Sequence, residues 1–80
     1  MEIRHLRFFC TLAEELHFTR AAILLNISQS SLSHQIKQLE DELGTRLLER
    51  TNRRVRLSDA GEVFLLRATR ILEQMDQAVR

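Results

Sequence analysis

The chain has 80 residues, 44% hydrophobic and 29% charged, proportions that fit one ordinary folded domain and exclude a two-domain or disordered reading. Twelve Lys and Arg against eleven Asp and Glu leave a formal charge of +1, so an anionic partner has to be read from local charge placement. The lone Cys10 has no second cysteine to pair with, no signal peptide opens the chain, and no apolar run approaches the roughly 20 residues that cross a bilayer. A reducing, cytoplasmic setting is the expectation. A domain of this size buries only about 60% of the surface its unfolded chain exposes, so its core is thin and a partner copy adds to it.

Proline is absent and glycine stands only at Gly44 and Gly61, which favours helices. Leu6, Phe9, Ala13 and Leu16 recur at helical spacing and predict a first helix from Ile3 to Leu16, with Cys10 and Leu12 broadening its apolar stripe. Thr19 is the expected N-cap of a two-turn helix from Arg20 to Leu25, where the small Ala21 and Ala22 allow close packing. Asn26 reads as a left-handed terminator and Ser28 as the N-cap of a third helix, so the turn between them is very short. In that helix Leu32, Ile36, Leu39 and Leu43 form the apolar face, and Gly44 ends it. Leu47 to Arg50 and Val55 to Leu57 alternate around Thr51-Asn52-Arg53-Arg54 and predict a small hairpin. Ser58 or Asp59 caps a last helix, whose Phe64, Ala68, Ile71, Met75 and Ala78 still keep helical step when the chain stops at Arg80. A piece cut inside a helix is the expectation.

Two helices joined by an abbreviated turn, then an arginine-rich hairpin, point to a mainly α winged helix-turn-helix over residues 1–57, with residues 58–80 as a linker and dimerisation helix. A helix that enters the major groove needs short polar side chains near its N-terminus, and Gln29, Ser30, Ser31, Ser33 and His34 supply them as base contacts. The ordinary alternative is a solvated helix start, since Ser and Gln are common there. The next segment favours the first reading: Arg46, Arg50, Arg53, Arg54 and Arg56 are accompanied by one acid, Glu49. Such a cluster repels itself unless water, counterions or phosphates screen it. Thr19, Ser28, Lys37, Arg50, Arg53, Arg54 and Arg56 are the expected contacts to backbone or minor groove, with Arg53 and Arg54 at the hairpin tip. Glu40-Asp41-Glu42 reads as a solvated acidic face that keeps the far end of the third helix away from a polyanion.

The remaining chemistry is thin. His5, His17 and His34 lack metal-ligand spacing, Cys10 reads as a small core residue, and no nucleophile or phosphate-loop motif is present. No catalysis, metal or cofactor is therefore expected of this stretch. The last helix has a wide stripe, and Phe64, Leu65, Ala68, Ile71, Leu72 and Met75 are candidates for pairing with a second copy, the early ones also covering their own core. The competing reading is a helical protein-interaction module with solvated arginines.

Taken together, Phe18-Thr19-Arg20-Ala21-Ala22, Ile27-Ser28-Gln29-Ser30-Ser31-Leu32-Ser33-His34-Gln35-Ile36, Leu39-Glu40-Asp41-Glu42-Leu43-Gly44, Leu47-Leu48-Glu49-Arg50 and Leu57-Ser58-Asp59-Ala60-Gly61 resemble the N-terminal DNA-binding domain of LysR-type transcriptional regulators. The resemblance spans nearly the whole chain, including Ile3 to Phe9, and rests on the order and spacing of these fragments. It implies a winged helix-turn-helix on double-stranded promoter DNA, with residues matching Gln29, Ser30, Ser31, Ser33 and His34 facing bases and the one matching Arg53 reaching the minor groove. Ser30 and Ser31 stand where the family often carries proline, and His34 where it often carries arginine. The resemblance also implies a homodimer on an interrupted inverted repeat, tetramers in the full-length regulator, and a small-molecule inducer bound by an effector domain absent from these residues.

Overall fold

The computed structural model describes residues 1–51 and 53–80; Asn52, placed by the sequence in the hairpin turn, lies outside the described residues. Helix α1 (Ile3–Glu15) leads to α2 (Phe18–Leu25), α3 (Gln29–Leu43), strands β1 (Leu48–Arg50) and β2 (Val55–Leu57), and α4 (Asp59–Val79). This is the winged helix-turn-helix with a long last helix that the sequence predicts.

The apolar spacing explains why the helices meet. Helix α1 turns Leu6, Phe9, Leu12 and Ala13 inward, against Phe18, Ala21 and Ala22 of α2 and Leu32, Ile36 and Leu39 of α3. Ala21 and Ala22 carry no bulk beyond a methyl, so α2 approaches closely and the turn to α3 can be short. Asn26 takes the left-handed conformation at φ 58°, its N–H closing on Ala22 and Ile23, and Ser28 then caps α3 by accepting from the Ser31 N–H at 3.0 Å. Gly44, at φ +72°, ends α3 as expected.

The first two helix boundaries differ from the sequence reading. Helix α1 stops at Glu15 because Leu16 adopts the left-handed conformation at φ 51°, which a leucine rarely does. Helix α2 starts two residues early, because His17 rather than Thr19 is its cap: the His17 Nδ1 accepts from the Arg20 N–H at 3.1 Å. Thr19 is thereby released for another contact.

Strands β1 and β2 pair antiparallel, with Leu48 opposite Leu57, Glu49 opposite Arg56 and Arg50 opposite Val55. So short a hairpin is marginal alone, and three anchors hold it. From α3, Glu40 Oε2 accepts from the Leu47 and Leu48 N–H groups at 2.8 and 3.2 Å. At the base, the Leu47 carbonyl accepts from the Ser58 N–H at 2.9 Å, and the Ser58 hydroxyl donates to the Arg46 carbonyl at 2.6 Å. From β1, the Arg50 guanidinium stacks on the Phe18 ring at 4.1 Å. Glu40 is thus a structural residue, which corrects its reading as part of a solvated acidic face.

Helix α4 begins at Ser58, whose hydroxyl accepts from the Gly61 N–H at 2.9 Å. Its first half packs on α1, with Phe64 edge-on to Phe9 at 5.3 Å between ring centroids. Ala68 is fully buried inside its own chain. That removes Ala68 from the set of residues free to face a second copy, and gives Phe64 and Leu65 mainly to their own core. Ile71 is exposed, and Leu72 and Met75 are half-buried, where the helix runs past the core.

Candidate nucleic-acid interface

At 3.6 residues per turn, Ser30, His34 and Lys37 lie on the face of α3 opposite Leu32, Ile36 and Leu39, while Gln29 and Ser33 lie on the flank that borders the wing. All are exposed except the half-buried Ser33. Ser31 sits about 100° further round from Ser30, on the flank away from the wing. The cap takes only the Ser31 N–H, so the amides of Gln29 and Ser30 remain open donors at the helix N-terminus. Ser28 and Ser30 bring their hydroxyls to 3.3 Å, a polar edge with capacity for one more acceptor.

Gln29 has a side-chain partner on α2. Thr19 Oγ1 donates to its Oε1 at 3.0 Å, tying the first turn of α2 to the first residue of α3. The pair lines a hollow whose opposite wall is the wing tip, Thr51, Arg53 and Arg54. A second hollow runs along α3 past Ser33, His34, Lys37, Glu40 and Asp41 to Arg46 and Arg50. Gln29 in the first hollow and Ser33 in the second stand one turn apart on α3, so the two hollows are neighbours along the helix.

The tip is organised by Thr51, whose Oγ1 accepts from the Arg54 N–H at 3.1 Å and whose own N–H donates to the Arg54 carbonyl at 2.9 Å. This leaves both tip guanidinium groups exposed. Among the described residues, Arg46, Arg50, Arg53 and Arg54 have no acidic partner. Lys37 makes a loose pair with Asp41 at 3.6 Å across one helical turn, both groups about 70% exposed, which water screens to a small energy.

Arg56 behaves differently. Strand alternation turns Arg50 and Val55 to one face and Glu49 and Arg56 to the other, where Arg56 Nε meets Glu49 Oε2 at 2.9 Å. Its neighbours there include Leu16, Asp59 and Glu62 rather than α3. Arg56 thus pairs with Glu49 on the face of the wing away from Arg50.

The rest of the titratable inventory gathers nowhere. Among the described residues no three His, Cys, Asp or Glu side chains form a group that could hold a metal, and no helix is long and apolar enough to cross a membrane. Burial pushes the Cys10 thiol up from its ordinary value, a hydrogen bond with Thr69 opposes this, and Glu14 adds to it. Cys10 packs beside the core, as its position on the apolar stripe predicts.

With this geometry in place, comparison with known proteins is decisive. A family model for the bacterial regulatory helix-turn-helix protein, lysR family, matches residues 3–62. The chain belongs to the LysR family. Among its relatives are the HTH-type transcriptional regulator AlsR of Bacillus subtilis, 53% identical over 79 residues, covering 99% of this chain and 26% of AlsR. The Hca operon transcriptional activator HcaR of Escherichia coli K12 is 54% identical over 78 residues, covering 98% of this chain and 26% of HcaR. The chain spans about a quarter of the length of these curated relatives. Among solved structures, the BenM DBD in complex with catB site 1 DNA superposes with a TM-score of 0.95 at 48% identity, covering 99% of this chain and 88% of that one. Full-length CbnR complexed with its target DNA superposes at 0.92 and 41% identity, over 98% of this chain and 27% of that one.

The match covers the candidate interface of this LysR-family chain from Thr19 to Arg54 and stops short of Phe64. Three contributors escaped the sequence reading: Thr19 as the partner of Gln29, Glu40 as the anchor of the wing, and Arg46 on the same surface as His34 and Lys37. Only Arg46 had a local signal, its place in the arginine-rich segment. The other two depend on contacts seven or more residues apart.

Proposed function

We propose that this domain binds double-stranded promoter DNA sequence-specifically as the N-terminal part of a bacterial transcription regulator. One observation carries the reading: the uncharged polar N-terminal turns of α3 and four arginines outside any ion pair among the described residues line two neighbouring hollows. The major groove, about 12 Å wide, accepts such a helix. Gln29, Ser30, Ser33 and His34 then face base edges, with Ser31 at the flank. Ser28, Lys37 and Arg50 hold phosphates, Arg53 and Arg54 reach backbone or minor groove, and Thr19 stands beside them. Similarity to domains solved on DNA supports this docking.

The same reading divides the chain into a winged domain over 1–57 and a linker helix over 58–80, which pairs with a second copy through Ile71, Leu72 and Met75. Two copies place two α3 helices on an inverted repeat, and a small-molecule inducer acts through an effector domain outside these residues. The regulator works in the cytoplasm and the domain needs no cofactor.

Selection of bound duplexes from a random pool, followed by titration of the selected and a scrambled duplex over a salt series, tests the proposal. The expected result is a preference of about tenfold or more for the selected duplex. The expected salt slope is about −3 to −4 per chain, from the four cations Lys37, Arg50, Arg53 and Arg54. Equal affinity for both duplexes, or no binding at low salt, refutes it and favours the protein-interaction module.

A further inference from the structure

We propose that Thr19 is a positioning residue that sets the base preference of Gln29 by holding its amide in one orientation before DNA arrives; this rests on reading Gln29 as a base contact. Glutamine is a long rotor whose two amide ends carry opposite hydrogen-bonding character, so a free Gln29 offers its donor and its acceptor in either order. Bidentate reading of adenine needs one order only, with the oxygen accepting from N6 and the amino group donating to N7.

The structure supplies the device that chooses. His17 caps α2, so the Thr19 hydroxyl has no capping duty and crosses to α3. Its Oγ1 donates to Gln29 Oε1 at 3.0 Å, which turns the carbonyl toward α2 and the amino group away from it. Threonine suits this role because its branched Cβ restricts χ1 and keeps the hydroxyl from swinging. One lone pair of Oε1 and both amino hydrogens stay available, so the hold fixes the order of the ends without using up the reading edge. The short turn through Asn26 and Ile27 is what brings two residues ten apart within one hydrogen bond.

The test uses the 80-residue chain, the duplex recovered by selection, and the three single-base variants at every position of each half-site. Gln29→Ala identifies the base pair that Gln29 reads, by a loss there of roughly 5- to 150-fold in discrimination. Thr19→Val keeps shape and removes the hydroxyl, and is expected to reduce discrimination at that same base pair by about 3- to 10-fold. Its salt slope is expected to match the parent, since the hydroxyl carries no charge. Thr19→Ser, which restores the hydroxyl, is expected to regain at least half of the lost discrimination. Adding Thr19→Val to Gln29→Ala is expected to change nothing further.

Unchanged discrimination in Thr19→Val overturns the proposal. So does a uniform loss on all duplexes, because Thr19 then acts on the backbone. A Gln29→Ala chain that discriminates like its parent overturns the proposal while leaving the DNA-binding reading standing. A parent chain that binds every duplex alike fails that reading itself.

Discussion

Gly61→Ala sets two magnitudes of opposite sign against each other. In a solvent-exposed helix the change stabilises by about 1 kcal/mol, because alanine loses less backbone entropy. Gly61 is buried, and a Cβ built there lies 2.0 Å from the Leu47 carbonyl oxygen, where real contacts are not found under 3.0 Å. Helix α4 and the wing base must therefore separate by about 1 Å. That movement stretches the 2.9 Å hydrogen bond from the Ser58 N–H to the same carbonyl beyond useful length. It also disturbs the packing of Leu47, which is 1% exposed. Overpacking costs about 1–3 kcal/mol and the lost bond about 1 kcal/mol more, so after the propensity gain the net loss is about 1–3 kcal/mol. For a domain of this size that lowers Tm by roughly 5–20 °C. Thermal and urea unfolding followed by circular dichroism at 222 nm measure it directly. Gly44→Ala is the control, since it has φ +72° but nothing within 4 Å, so only conformational strain opposes it. An unchanged or raised Tm in Gly61→Ala refutes the claim that the glycine serves close approach.

Three further outcomes are expected. Glu40→Ala leaves the N–H groups of Leu47 and Leu48 without an acceptor and is expected to cost about 3 kcal/mol, with Glu40→Gln losing about half as much; urea midpoints check both. Arg53→Ala is expected to weaken DNA binding and flatten the salt slope by about 1, while Arg56→Ala, already paired with Glu49, changes the slope little; fluorescence anisotropy across a salt series separates them. Leu72→Asp is expected to shift sedimentation toward monomer with the helical signal retained, because a carboxylate at the pairing seam is buried without a partner. A persistent dimer moves the seam elsewhere.

What could be read from the sequence was what local physics dictates. The apolar spacing of α1, α3 and α4, the Ser28 and Ser58 caps, the Asn26 and Gly44 terminators and the alternating hairpin each depend on neighbours within one or two turns. The corrections come from contacts that cross elements. His17 displaces Thr19 as a cap through a ring nitrogen, an unusual acceptor for that position. Leu16 ends α1 in a conformation that leucine gives no reason to expect. Arg56 shares composition with Arg50 but faces the other way, a distinction that strand parity contains once β1 and β2 are placed in register. Glu40 reads as one of three consecutive acids, and only the fold shows that its carboxylate alone reaches the wing.

The anchors of the wing bear on the proposed function because they connect it to the elements assigned to DNA in that proposal. Glu40 projects from the last turns of α3, Phe18 opens α2, and Ser58 and Gly61 begin α4. A two-stranded hairpin of three residues a side has too little buried surface to orient itself, so its angle to α3 is inherited from these contacts. The separation of the Gln29 edge from the Arg53 and Arg54 tip is then a fixed property of the core. On this geometry a half-site is read by two features held in step, base edges in the major groove and the backbone or minor groove beside them. The same surface also explains the near-zero net charge. Helix α3 carries its acids at the end away from Gln29 and the wing carries Glu49 on the face away from α3, so both signs are present and the positive one predominates beside Gln29 and the wing tip.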